Sequence, residues 1–398
     1  MFRRVKMKAP SFGIDKIVQT LGSKQSRGKN YALLCHPASI DKKLKHLLNL
    51  LDPKLKVKAL FGPQHGIFGE TQDNMIEWED FEFPDGRPVY SLYGKTRIPT
   101  RESLKGVHAV IVDLMDVGAR YYTFIYSLSY MMEVCADLGV EVIVCDRPNP
   151  LGGRMIEGPI LDLEYQSFVG RFPIPVVHGM TIGELAKFFA SRISKTLKLK
   201  VIPLQSWRRA QSFYDWKRPW ILPSPNLPNF EACRLYPGMC LLEGTSLSEG
   251  RGTTRPFELI GAPFFNWNEI ERHYQELCKK LSLKPVHFHR QGFVPTFHKF
   301  KGQLCYGALQ IVPDSRDFLA LRHAAVLIWV FRNLYGQAWD WNREPYEYER
   351  EKLAIDILSG DSTFREVIDA QSSLKDLFRK WADEEKEFSK QRREFLLY

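Results

Sequence analysis

Between residues 31 and 204, short apolar runs alternate with longer stretches of helical periodicity, and each run closes on a cluster of Gly, Pro, His, Asp or Asn. That alternation is the pattern of parallel βαβ units, and it constrains the chain more than any other feature. Strands are expected at 31–35, 56–61, 107–113, 140–145 and 201–204. Their runs are apolar on both faces, as the middle of a parallel sheet requires. Helices are expected at 41–51, 121–138 and 181–194, the last opened by Thr181 three residues before Glu184 as a capping box. From about 207 to 263 periodicity stops and Pro, Gly, Asn and Arg crowd together. This stretch is too rich in apolar and aromatic residues for disorder, so it reads as a long functional loop. The pattern resumes with a helix at 267–280, alternating runs at 286–293 and 308–312, and a helix at 316–335. A charged helical segment at 372–395 reads as a solvated face. The expected architecture is α/β, with a parallel-sheet domain and its long loops over 12–262 and a smaller α+β domain over 263–398.

With 398 residues, 44% of them hydrophobic, the chain is long enough to bury a core without a metal or disulfide staple. Disordered, collagen-like and disulfide-scaffold classes are excluded. The net charge of +10 suits an anionic partner. Apart from small concentrations at 3–8 and 195–209 the basic residues are scattered, with no stripe of Arg and aromatic residues, so no nucleic-acid partner is expected. The seven cysteines are odd in number, never spaced CxxC and mostly set in apolar runs. They read as free buried thiols in a reducing compartment. The basic opening is not followed by the apolar stretch of a secretory signal, and no window holds eighteen uninterrupted apolar residues. A cytoplasmic location without a membrane partner is expected; the oligomeric state is not legible.

In an open parallel sheet the ligand crevice lies beyond the carboxyl ends of the strands. Those ends carry His36-Pro37, then Gly62-Pro63-Gln64-His65-Gly66, then Asp113 with Asp116 to Arg120, then Asp146-Arg147-Pro148-Asn149. Taken singly, each Asp or Asn reads equally as a helix cap or turn residue. Four loops agreeing favours a site, and a pure turn would not need His65. The glycine-rich 242–258 segment adds Glu243, Glu249, Arg251 and Arg255 with hydroxyls at Thr245, Ser246, Ser248, Thr253 and Thr254. It reads either as a ligand-facing loop, with Arg for planar recognition of a carboxylate or phosphate, or as a surface loop braced by its own salt bridges. No Gly-Lys-Ser/Thr loop, GxGxxG, HExxH or GxSxG is present, and His287 with His289 is a chance spacing, so neither cofactor nor metal is expected. What remains is carboxylate, histidine, amide and arginine chemistry, suited to glycoside or acyl transfer on a polar, anionic small ligand.

The ordered segments FGPQHG, DLMDVGARYYTF, CDRPNPLGG, EGPILD, PVVHGMTIGELA, LPSPNLP and EGTSLSEGRGTTRPFE span residues 61 to 258, and FVPTFHKFKGQLCYG follows at 293–307. Together they closely resemble the exo-β-N-acetylmuramidase (NamZ-type) family of glycoside hydrolases. The resemblance implies a Rossmann-like domain joined to a smaller auxiliary domain across a cleft. It implies release of N-acetylmuramic acid from the non-reducing end of peptidoglycan fragments, with no cofactor, so that the ligand is a small amino-sugar or muropeptide-derived glycan. The catalytic candidates are Gln64, at the position the resemblance marks, with His65, Asp116 and Glu249 from the loops read above. Binding positions fall on His36, Arg120, Tyr122, Asp146, Arg147, Asn149, Glu157, His178, Asn226, Glu243, Thr245, Arg251, Thr254 and Arg255. The sugar's acidic lactyl group would give Arg120, Arg251 or Arg255 a purpose.

One position departs from the family. Its loop after the second strand typically reads Pro-Glu-His-Gly, whose glutamate is the leading catalytic carboxyl, and here that residue is Gln64. A carboxamide neither shuttles a proton nor attacks an anomeric carbon at useful rates. Three readings stand open. Another carboxylate (Glu70, Asp73, Asp116, Glu157 or Glu249) does the work with His65 assisting; the pocket binds sugar without cleaving it; or Gln64 is an introduced inactivation. In the first, a cleft carboxylate stabilises an oxocarbenium-like transition state while a second acid or His65 protonates the leaving group. All require His65, Asp116, Asn149 and Arg251 to meet at one lip of the sheet.

Overall fold

The computed structural model describes residues 8–22, 28–72, 75–313 and 316–398. Asp73 and all but Lys8 of the basic stretch at 3–8 lie outside the described residues. The first half of the chain gives β1 (Asn30–Cys35), β2 (Lys56–Gly62), β3 (Phe81–Glu82), β4 (Pro88–Ser91), β5 (Ala109–Asp113), β6 (Glu141–Cys145), β7 (Glu157–Ile160), β8 (Pro175–Val177) and β9 (Leu199–Ile202). Seven of these form one sheet in the order β3-β4-β2-β1-β5-β6-β9. Every pair is parallel except β3 with β4. Leu33 on β1 sits between Leu60 on β2 and Ile111 on β5, and all three side chains are buried. The chain leaves β1 toward β2 and β4, then returns to place β5 on the other side of β1. The direction of winding therefore reverses between β1 and β5, and a crevice opens at their carboxyl ends.

The helices of this half are α1 (Ile17–Leu21), α2 (Leu47–Leu51), α3 (Phe124–Leu138) and α4 (Ile182–Ile193). Thr181 caps α4 as expected, its side chain taking the Glu184 amide while Glu184 reaches back. The helix expected at 41–51 is cut to its last turn. The Asp41 carboxylate accepts the amides of Lys43 and Lys45, and Leu44 takes φ 62°, so a local turn replaces the first helical residues.

The supposedly structureless 207–263 stretch contains α5 (Phe230–Met239), capped by the Asn229 side chain on the Ala232 amide. Pro237 and Gly238 in its last turn hide the helical pattern. The glycine is required, because a β-carbon there would run into the Ala320 carbonyl. Then follow β10 (Leu259–Ala262), α6 (Trp267–Lys280), β11 (His287–Phe293), β12 (Cys305–Ile311), α7 (Ala320–Tyr335), α8 (Ala354–Ser359), α9 (Thr363–Asp369) and α10 (Leu374–Gln391). The smaller sheet is antiparallel in the order β10-β12-β11 and takes β10 from before the expected 262/263 division.

One continuous apolar core runs through both parts. The charged last helix is not a free face: α10 buries Leu374, Leu377, Trp381 and Phe388, while Glu384 and Glu385 accept the amides of Ile160 and Gly158 on β7. Among the described residues no helix is long and apolar enough to cross a membrane.

Candidate active site

The turn after β2 carries Gln64 and His65 into a small, largely buried polar cavity. Besides these two, the cavity is lined by Tyr121, Tyr122 and Thr123 from the segment after β5, by Ser224 and Asn226, by Tyr236 on α5, by Glu243 and Arg251 of the glycine-rich segment, and by Tyr346 and Glu347. It thus sits at the carboxyl ends of β2 and β5, beside the crevice the topology opens.

His65 is held in an unusual backbone state, φ 74°, followed by Gly66 at φ 89°. Its ring secures that turn. Nδ1 donates to the Thr71 carbonyl at 2.9 Å, and Nε2 meets the Ser224 hydroxyl at 3.1 Å. Burial lowers its pKa to about 4, against the Thr71 carbonyl that favours the charged form. The ring is therefore neutral at neutral pH, with Nε2 accepting from Ser224, and does not have the proton needed by a leaving group.

Gln64 is oriented from both ends. The Thr123 hydroxyl donates to Oε1 at 2.6 Å, so Nε2 faces the Glu347 carboxyl, 3.4 Å away at Oε1. Tyr93 donates to Oε2 of Glu347 at 2.8 Å, while the Tyr93 oxygen accepts the Met75 amide at 3.0 Å. Burial pushes Glu347 up to about 7; the Tyr93 and Gln64 hydrogen bonds and Arg97 oppose it, and Glu243 reinforces it. Glu243 is ion-paired to Arg251 at 2.7 Å and accepts the Tyr346 hydroxyl at 2.8 Å.

Of the sequence-expected residues, Gln64, His65, Tyr122, Asn226, Glu243 and Arg251 converge on this cavity. The Tyr122 hydroxyl is spent on the Pro223 carbonyl at 2.6 Å, so its ring forms the wall. Glu249 does not line it. Burial would raise its pKa, but Lys299 at 3.0 Å, His298 at 3.4 Å and Arg251 at 3.5 Å hold it well below the ordinary range, which makes it an anchor for Arg251 and a poor acid. Asp116 pairs with His178 at 3.2 Å and accepts the Gly118 amide, and Asn149 braces the Met180 carbonyl and the Leu151 amide. The common lip expected for His65, Asp116, Asn149 and Arg251 is thus only half assembled in the cavity.

The remaining expected positions bind the protein itself. Arg120 is fully buried and donates to the carbonyls of Pro159, Ile174, Leu358 and Ser359 at 2.7–3.0 Å, closing the carboxyl end of α8, so it is spent before any lactyl group arrives. Arg147 grips Asp113 through two hydrogen bonds of 2.6 and 2.7 Å. Asp146 takes the Thr181 and Tyr398 hydroxyls and the Gly183 amide. Glu157 caps α7 through the Leu321 and Arg322 amides. His36 accepts the Met115 amide, and Thr245 donates to Leu242. Thr254 and Arg255 are exposed, with Arg255 3.5 Å from Glu258. Glu70 takes the Phe68 amide beneath Gly66. Among the described residues no group of three or more His, Cys, Asp or Glu is gathered as a metal set.

Sequence reasoning missed Tyr93, Thr123, Ser224, Tyr236, Tyr346 and Glu347. The last two lie in REPYEYERE, where a proline and two tyrosines flank glutamates without periodicity. The combination that marked the 207–263 stretch, aromatic content without regular pattern, was the available signal.

Two family models match the chain: "Exo-beta-N-acetylmuramidase NamZ, N-terminal" over residues 31–231 and the corresponding C-terminal model over 234–398. It is 41% identical over 388 residues to the peptidoglycan beta-N-acetylmuramidase NamZ of Bacillus subtilis (strain 168), covering 97% of this chain and 91% of that protein. Two crystal structures of DUF1343 family proteins from Bacteroides fragilis NCTC 9343 share the fold. One has a TM-score of 0.85 at 28% identity, covering 99% of this chain and 100% of the other. The second has a TM-score of 0.74 at 30% identity, covering 98% and 99%.

Proposed function

The chain belongs to the exo-β-N-acetylmuramidase NamZ family of glycoside hydrolases, and from that premise we propose that it removes N-acetylmuramic acid from the non-reducing end of peptidoglycan-derived glycans. The observation that carries this reading is the pocket at the carboxyl ends of β2 and β5, which gathers Arg251, two carboxyl side chains and four tyrosine rings. Tyrosine faces suit the apolar face of a pyranose. A buried guanidinium suits the lactyl carboxylate that distinguishes a muramyl from a glucosaminyl residue. Gln64, His65, Tyr122, Asn226, Glu243 and Arg251 are the residues we assign to sugar binding. Asp116, His178, Asn149, Arg147, Asp146, Glu157 and Glu249 we assign to the scaffold behind them.

The reading of a pocket that binds without cleaving is not favoured, because the cavity keeps Glu243 and Glu347 although position 64 is an amide. We further place the activity in the cytoplasm, in recycling of wall fragments; the seven cysteines, all buried and unpaired, support a reducing compartment. The deciding experiment offers the purified protein 4-nitrophenyl β-N-acetylmuramide and the matching glucosaminide, which lacks the lactyl group. Release of nitrophenol from the muramide alone is the expected result; release from neither, or from both equally, rejects the assignment.

A further inference from the structure

The geometry points to Glu347 as the carboxylic acid that protonates the glycosidic oxygen, taking over the task that the amide at position 64 cannot perform. This inference rests on the muramidase reading above. Four observations lead to it. The Glu347 side chain lines the same cavity as Gln64, His65, Glu243 and Arg251. Its two oxygens are differently engaged. The Tyr93 hydroxyl, already accepting from Met75, turns its proton to Oε2 at 2.8 Å, whereas among the described residues Oε1 has only the longer 3.4 Å approach of the Gln64 amide. Oε1 is thus the oxygen left to carry an acid proton. The backbone that presents it is constrained: Glu347 and Tyr348 are consecutive non-glycine residues at φ 47° and 71°, closed by mutual hydrogen bonds between Tyr346 and Glu349. Such a conformation persists only where surrounding contacts impose it. Finally, the neighbour at position 64 is neutral and competes for no proton, so an acid proton here belongs to Glu347 alone, while the second carboxyl of the cavity, Glu243, is occupied by Arg251 and Tyr346.

The step balances with water as the only co-reactant. As the bond from the anomeric carbon to the bridging oxygen breaks, its electron pair goes to that oxygen, which takes the proton of Glu347 and departs as an alcohol. The sugar is left as an oxocarbenium-like cation facing a carboxylate. Water adds to the anomeric carbon, and the proton it sheds returns to Glu347. Among the described residues the titratable groups that face this carboxyl are Tyr93, Glu243 and Arg97, with Tyr346 beyond Glu243. Their balance with burial leaves it protonated below about pH 7.

The test compares the parent protein with Glu347→Gln on two substrates: N-acetylmuramyl-β-1,4-N-acetylglucosamine, whose leaving group needs a proton, and the 4-nitrophenyl muramide, whose leaving group does not. The expected result is a loss of kcat on the disaccharide of about 1,000-fold or more, against a loss on the nitrophenyl glycoside smaller by at least about tenfold, with N-acetylmuramic acid still bound in calorimetry. Equal losses on both substrates, or a variant that keeps a tenth or more of its disaccharide activity, overturn the proposal. Should Glu347→Gln fail to bind the sugar, Tyr93→Phe decides. Removing that hydroxyl takes a hydrogen bond from the ionised form, so the alkaline limb of the kcat profile moves to higher pH, and an unmoved limb overturns the assignment. A parent protein that cleaves neither substrate rejects the muramidase reading itself, and the proposal with it, before any variant is made.

Discussion

Gln64 Nε2 donates to Glu347 Oε1 at 3.4 Å, joining the turn after β2 to a loop 283 residues further along the chain. The direction of that bond is set by Thr123, whose hydroxyl holds the amide oxygen at 2.6 Å. An amide pinned in this way offers a proton to its neighbour without adding charge to a buried site.

Replacing Gln64 by Glu would put a second carboxyl against Glu347 in the same buried place. Two carboxyls this close do not both ionise readily, so the pair should hold one proton well above the ordinary carboxylate range. Gln64→Glu is expected to unfold at nearly the parent's urea midpoint near about pH 5, and to be destabilised by about 3 kcal/mol near about pH 8. Urea titrations at the two pH values measure this; an equal loss at both would show that the carboxyls do not interact.

Glu347 carries a cost of its own. Burial, partly offset by Tyr93 and Gln64, lifts its pKa from the ordinary 4.5 to about 7. The folded state therefore holds a proton that the unfolded state has released. Its stabilising effect is complete below pH 4.5 and is lost as pH rises through about 7. Glu157 and Asp146, both pushed up to about 7 by burial, act in the same direction. Glu347→Gln, which has no proton to lose, should thus gain on the order of 3 kcal/mol relative to the parent between acidic and mildly alkaline solution. Thermal unfolding across that range checks the sign: the variant's advantage must grow with pH. Stability gained at the expense of activity is the signature of a functional carboxyl.

The parallel core was legible because strands buried on both faces are uniformly apolar, and Leu33, Leu60 and Ile111 mark three such runs at a glance. Reading the strand ends then singled out Gln64 and His65, which the structure brings into one cavity. The sequence could not say what a polar residue at a strand end touches. Arg120 and Arg251 look alike as arginines in glycine-containing loops, yet one meets four backbone carbonyls and the other faces the cavity, a difference made by α8 and by the loop of Glu347, both far along the chain. Glu347 was hidden for the same reason, because no local period announces a contact across that distance.

Arg120 should behave as a structural clip. Arg120→Met leaves the carbonyls of Pro159, Ile174, Leu358 and Ser359 buried without their donor, which at roughly 1 kcal/mol or more apiece amounts to a loss of about 4 kcal/mol. Arg120→Lys should recover little, because one ammonium does not reproduce a planar fork that spans four acceptors. Denaturant midpoints measure both, while the KM of whatever folded protein remains should be unchanged. A raised KM with normal stability would return Arg120 to the binding site.

Arg251 is expected to behave in the opposite way. Its guanidinium lines the cavity, pairs with Glu243 at 2.7 Å and lies 5.2 Å from the centre of the Phe257 ring, with Glu249 behind it at 3.5 Å from Nε. Arg251→Lys keeps the charge, and so much of the pairing with Glu243, but loses the planar fork that suits a carboxylate. KM for a muramyl substrate should rise about tenfold, equivalent to about 1.4 kcal/mol, with kcat falling less. Glu249→Gln should shift KM the same way and by less, because it loosens the anchor without removing the fork. The lactyl group is the discriminating element. In competition binding, the affinity for N-acetylglucosamine should be nearly the same in parent and variant while that for N-acetylmuramic acid drops. Parallel losses for both sugars would mean that Arg251 shapes the wall of the cavity and does not read the acid.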